Sequence, residues 1–210
     1  MFTSPRNKES NERVKDERRE QILSNALILF AKKGFAATKI TDISAASGFS
    51  QGLIYHYYQS KEEIFVALIK NAVAIMNAAA VELERLPLTP LEKIKLAIGK
   101  LLQGLEEGEQ VAYHYLLINQ AVISEAIPDE AKLIVEEQTL RYEVIARIIS
   151  AGQREGSFKK YDARDMALLF WTSLNGLAIY KAGHADNFKV PDANILISMF
   201  VLENINSKEV

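Results

Sequence analysis

The residues from Thr38 to Lys61, TKITDISAASGFSQGLIYHYYQSK, constrain this chain more than any other stretch. Ile40 and Ile43 share one face at helical spacing, with small Ala45, Ala46 and Ser47 around them. Gly48 follows, where a left-handed backbone costs nothing, as the turn between two crossed helices requires. Ser50 is placed to accept from a free N–H of the next helix, leaving Gln51 and Gly52 in its first turn. Ile54 and Tyr58, four apart, face inward, while Gln51 and Tyr55 share another face. Ser60 and Glu63 have the spacing of a capping box and open a long apolar helix. The stretch reads as a helix-turn-helix unit.

The order G-F-S-x-G-x-I-Y-H-Y-Y-x-S-K-E-E-I, from Gly48 to Ile64, resembles the Tet repressor (TetR) family of transcriptional regulators. Gly34-Phe35, Thr38 and Asp42-Ile43 fit the same pattern, so the motif covers residues 18 to 65. The resemblance implies an all-α chain whose N-terminal head is a three-helix DNA-binding domain. It further implies a homodimeric repressor, a palindromic operator, and a second helical domain that senses a small molecule.

Matched to the motif, the helix from Gln51 to Tyr58 enters the major groove. Gln51 is then placed to pair bidentately with adenine, and side-chain-free Gly52 allows close approach. Tyr55 and Lys61 fall at phosphate-contacting positions, and His56, Tyr57, Ser50 and Thr38 join them as candidate contacts. Thr41 occupies a position that reaches a base. Lys39 departs from the usual Ser or Thr; its ammonium is read as a phosphate contact, with Thr38 or Thr41 capping the helix.

One competing motif shares these residues. Gly48-Phe49-Ser50-Gln51-Gly52 matches G-x-S-x-G, the nucleophile elbow of hydrolases. That chemistry needs a strand before the serine, and TDISAAS reads as a helix. No catalytic residue is therefore assigned, and the chain is read as no enzyme.

Charge agrees with a DNA-binding head. Residues 1 to 61 carry ten Lys+Arg against six Asp+Glu, and the remainder fifteen against twenty-one. A basic head on an acidic body turns the head toward a polyanion. There is no cysteine, which excludes disulfides and thiolate metal sites and suits a reducing compartment. The polar N-terminus lacks the apolar core of a signal peptide, and no uninterrupted run of about eighteen apolar residues occurs. A cytoplasmic protein without a membrane partner is expected.

In chain order, residues 1–14 read as a disordered tail, 15–61 as the DNA-binding domain and 62–210 as a ligand-binding and dimerisation domain. Apolar spacing predicts nine helices: one from Asp16 to Lys33, two in the motif, and one from Lys61 to about Leu86. The last five span Leu91–Leu105, Val111–Ala126, a long run after Pro128 to about Arg154, Asp162–Lys181 and Pro191–Asn204. Tyr113, Tyr115, Asn119, Tyr142, Trp171 and Asn175 mix aromatic and amide groups that suit an apolar pocket with a few orienting polar atoms. Leu169, Phe170, Leu174, Leu177, Ile195, Met199 and Leu202 supply apolar surface for a two-fold four-helix dimer interface, which Gly176 and Ala178 let close up. No His and carboxylate set has metal-ligand spacing, and no cofactor is expected. Two other functions compete: a ligand-independent architectural DNA-binding protein, and a hydrolase using Ser50.

Overall fold

The computed structural model describes residues 5–137, 139–184 and 187–202. The described residues are helical: α1 (Pro5–Lys33), α2 (Ile40–Ser47), α3 (Gln51–Tyr57), α4 (Lys61–Arg85), α5 (Pro90–Glu107), α6 (Gln110–Ile123), α7 (Asp129–Glu137), α8 (Leu140–Arg154), α9 (Ala163–Gly183) and α10 (Ala193–Phe200). The run expected after Pro128 is two helices, α7 and α8; counted as one, the expected nine are present. No Gly or Pro marks that break. It coincides with the passage of the chain from one compact unit to another, between Val135 and Glu136.

Those units are Met1–Asn71 with Leu117–Val135, and Ala72–Leu116 with Glu136–Val210. They do not coincide with a single cut after residue 61, because α4 and α6 each contribute to both. The tail expected over residues 1–14 is helical from Pro5. Its charged residues are mostly good helix formers, and Arg13 pairs with Glu17 one turn on at 3.4 Å. α4 has the length and apolarity of a membrane span, yet 44% of its apolar stretch is buried within the protein, as in a core helix.

In the N-terminal unit Ile22, Ala26 and Phe30 of α1, Ile43 of α2, Ile54 of α3, and Ile64, Phe65 and Leu68 of α4 form the core. Phe30, Phe35 and Phe65 pack with ring centroids 5.2–5.7 Å apart, so Phe35 does fold back on Phe30 past the end of α1. In the C-terminal unit Ile94, Ile98, Val144, Ile149, Phe158, Met166, Phe170 and Phe200 are buried in one cluster. α5 opens on a capping box in which Thr89 and Glu92 satisfy each other's N–H groups, with Pro90 at the first helical position.

Candidate functional site

The head is built as its residues require. Gly48 has φ 69°, and Phe49 N–H returns to the Ser44 carbonyl at 3.1 Å, closing the turn between α2 and α3. Ser50 accepts from Leu53 N–H at 3.2 Å and starts α3. Ile54 and Tyr58 are buried, which leaves Gln51, Gly52, Tyr55 and His56 on the opposite, solvent-facing side, with Tyr55 47% exposed. Tyr57 is half-buried and meets His56 edge to face, with centroids 5.3 Å apart. Lys39, Thr41 and Ser50 are also exposed. The elbow reading fails locally: Ser50 follows a helix and a left-handed glycine, not a strand, and its hydroxyl caps α3.

Three residues behave differently from expectation. Thr38 is fully buried and donates to the Gly34 carbonyl at 2.8 Å, so it secures the loop and faces no DNA. Neither Thr38 nor Thr41 caps α2. Asp42 does so from inside the helix, accepting from Lys39 N–H at 3.1 Å. That hydrogen bond, with the Lys33 ammonium 3.6 Å away, holds the Asp42 carboxyl below its usual range. Lys61 is turned inward: its ammonium donates to the carbonyls of Phe35, Thr38 and Ala36 at 2.9, 3.0 and 3.4 Å. All its donors are engaged within the head, and it closes the α1–α2 loop onto α4 instead of meeting a phosphate.

Beside the C-terminal end of α3, a cleft of about 390 Å³ is lined by Glu12, Lys15, Asp16, Arg19, His56 and Tyr57. Lys15 and Arg19 thus stand next to the recognition helix. Sequence reasoning gave them no role, since that part of α1 was taken as tail and helix start.

In the C-terminal unit residues of α4, α5, α6, α8 and α9 line an open apolar cavity of about 600 Å³. Its wall includes Met76, Leu83, Ala97, Leu101, Val111, Ile145 and Phe170, with Gln110, His114 and Tyr115 as polar points and exposed Glu82 and Lys100 at the rim. Of the six expected ligand residues, Tyr115 and Trp171 line it. Tyr113 is buried and donates to Glu109; Asn119 belongs to the N-terminal unit; Tyr142 packs behind Trp171 at 6.1 Å; Asn175 is off the wall. Those four were chosen by residue type, which does not tell the lining side of a helix from its back. The missed signal was the small Ala72, Ala79 and Ala80 of α4, which leave volume opposite the bulky α9 aromatics. Burial lowers the pKa of His114, against the raising effect of its hydrogen bond to the Gln110 carbonyl.

The residues expected at a dimer face divide by exposure. Leu169, Ile195, Met199 and Leu202 are exposed. Phe170 and Leu174 are core residues, each 2% exposed, Leu177 packs partly against that core, and Ala178 is fully buried. The inward stripe of α9 runs through Met166, Phe170, Leu174 and Ala178, so the outward stripe holds Leu168, Leu169, Thr172, Gly176 and Tyr180.

Residues 22–68 match the family described as bacterial regulatory proteins, tetR family. The uncharacterized HTH-type transcriptional regulator YerO of Bacillus subtilis is 30% identical over 112 residues, 52% of this chain and little more than a third, 38%, of that protein. The uncharacterized HTH-type transcriptional regulator YfiR of the same organism is 25% identical over 183 residues, covering 83% of this chain and 84% of its own length. The crystal structure of the MbdR regulator from Azoarcus sp. CIB superposes with a TM-score of 0.75 at 24% identity, over 87% of this chain and 96% of that one, and so shares the fold. The helix-turn-helix head thus matches the tetR family of bacterial regulatory proteins over residues 22–68, and the chain as a whole shares the fold of a regulator of known structure.

Proposed function

We propose that the chain is a homodimeric repressor that holds a palindromic operator with two copies of the α2–α3 unit. A small, largely apolar molecule in the C-terminal cavity releases it. DNA-binding transcriptional regulation is the activity of the family. The observation that carries the reading is the face of α3. Gln51, Tyr55 and His56 project from a helix whose other side is locked into the core by Ile54 and Tyr58. A rigid helix with an amide at its N-terminal end and a phenol one turn on is suited to base-edge and phosphate contact in a major groove.

Dimerisation is supported by the exposed apolar residues of α9 and α10, Leu168, Leu169, Tyr180, Ile195 and Met199, which a second copy would cover. The cavity favours a ligand-released regulator over an architectural protein, because a concave apolar wall with a few polar points suits a small molecule. A cytoplasmic setting suits both partners. The test joins two measurements. Gel shifts on the DNA upstream of the protein's own gene ask whether a specific operator exists. Calorimetry of a cavity ligand with and without that operator then measures coupling. Linkage requires equal effects in both directions, with about 1–3 kcal/mol typical, or roughly 5- to 150-fold. Identical ligand affinities in the two titrations would remove the release mechanism and leave DNA binding intact.

A further inference from the structure

We infer that the cavity takes an amphipathic organic anion, its oxyanion end met by the Tyr115 hydroxyl and favoured by the Arg141 charge beside the wall, its hydrocarbon body met by the apolar wall. The inference rests on reading the cavity as the effector site, and it names the chemical class of the effector.

Two buried donor groups in this unit lack partners. The Tyr115 hydroxyl and Arg141 Nη1 are both shut off from solvent without a hydrogen bond, and each residue is only 6% exposed. Tyr115 stands on the cavity wall. Arg141 is not itself on the wall but packs against Trp171, which is. Its guanidinium is 5.9 Å from the Trp171 ring centroid, and its backbone carbonyl accepts from Trp171 Nε1 at 3.2 Å. Arg141 is also near enough to Tyr115 for its charge to act on that phenol.

A buried guanidinium ordinarily arrives with a carboxylate, because an uncompensated charge and unpaired N–H groups are costly away from water. Among the described residues no carboxylate forms an ion pair with Arg141. The rings of Tyr142, at 4.9 Å, and Trp171 cover its faces. Ring faces do not accept the N–H bonds that point outward in the guanidinium plane. Arg141 Nη1 thus lacks an acceptor close to a wall residue, Tyr115, whose hydroxyl lacks a partner too.

Tyr115 adds a second donor near the first. Burial pushes its pKa up to about 12, so it stays protonated and presents an O–H rather than a competing anion. A phenol O–H on the wall with a guanidinium charge close by favours an oxyanion such as a carboxylate over a neutral or cationic head. The charges at the rim, Glu82 and Lys100, are exposed and opposite in sign, and they set no preference inside.

Trp171 is the chain's single tryptophan, so its fluorescence reports occupancy of the cavity. The probes are dodecanoate, 1-dodecanol and dodecyltrimethylammonium, which share a chain and differ in head charge, each kept below its micelle concentration. Dodecanoate is expected to bind about tenfold or more tighter than the ammonium probe, one charged hydrogen-bond pair in scale. Tyr115→Phe should weaken dodecanoate about threefold or more and leave dodecanol unchanged. Arg141→Gln should abolish the preference, with circular dichroism checking its fold; if it does not fold, Tyr115→Phe decides alone. Equal binding of the three probes, or a preference for the cation, overturns the anion inference and keeps the effector cavity. No binding by any probe, the alcohol included, overturns the cavity reading beneath it.

Discussion

The ammonium of Lys61 sits 4.4 Å from the centroid of the Phe35 ring while donating to the Phe35 carbonyl at 2.9 Å. One residue thus binds both the face and the backbone of another, across 26 positions of sequence. With its bonds to Ala36 and Thr38, Lys61 is the clasp of the loop before α2. Lys61→Ala should lower the stability of the head by about 1–3 kcal/mol, the scale for losing charge-assisted hydrogen bonds. The dependence of operator affinity on salt should keep its slope. Thermal unfolding and a salt titration check this together. A slope smaller by about one, with unchanged stability, would place Lys61 on a phosphate after all.

Gln51 makes the opposite prediction. It is exposed at the first position of α3 and is not part of the core. Gln51→Ala should leave unfolding unchanged and cost roughly 1–3 kcal/mol on operator DNA, relaxing the preference at one base pair per half-site. Competition titrations with operator and random duplexes measure it. Equal losses on both would show that Gln51 reads no base.

Leu169 and Phe170 are adjacent in α9 and should respond differently to substitution. Leu169 is 51% exposed, and Phe170 packs on Trp171 at 5.2 Å and Phe200 at 6.0 Å. Leu169→Glu combined with Ile195→Glu should give a folded monomer in sedimentation. Phe170→Ala should instead cost about 3–5 kcal/mol of stability. A dimer that survives the double glutamate variant would move the interface to another surface.

Gly152 is the most closely approached glycine of the C-terminal unit. A Cβ there would lie 1.8 Å from Cδ2 of Phe158, a ring that is fully buried. Gly152→Ala must shift that ring or the backbone beside it, and overpacking of this kind costs about 1–3 kcal/mol. The urea midpoint should fall accordingly. An unchanged midpoint would mean that Phe158 moves aside freely.

The turn and recognition helix were legible because their information is local. Gly48 at a left-handed φ, Ser50 on Leu53 N–H, and Ile54 and Tyr58 on one stripe are relations within four residues. The sequence by itself therefore determined the helical class, the helix-turn-helix and the exposed face of α3, with Gln51 and Tyr55 on it. Only the tertiary structure decided what depends on a distant partner. Thr38 and Lys61 look like DNA contacts until the loop after α1 folds over them. The split between α7 and α8 falls where the chain changes unit, which no Gly or Pro announces. Tyr115, Tyr142 and Asn175 are alike as polar residues on apolar helices, and only packing puts Tyr115 on the cavity wall. Arg141 carries no motif at all. Its buried, unpaired guanidinium arises because α8 and α9 pack together around Trp171, a contact 30 residues apart that periodicity does not encode.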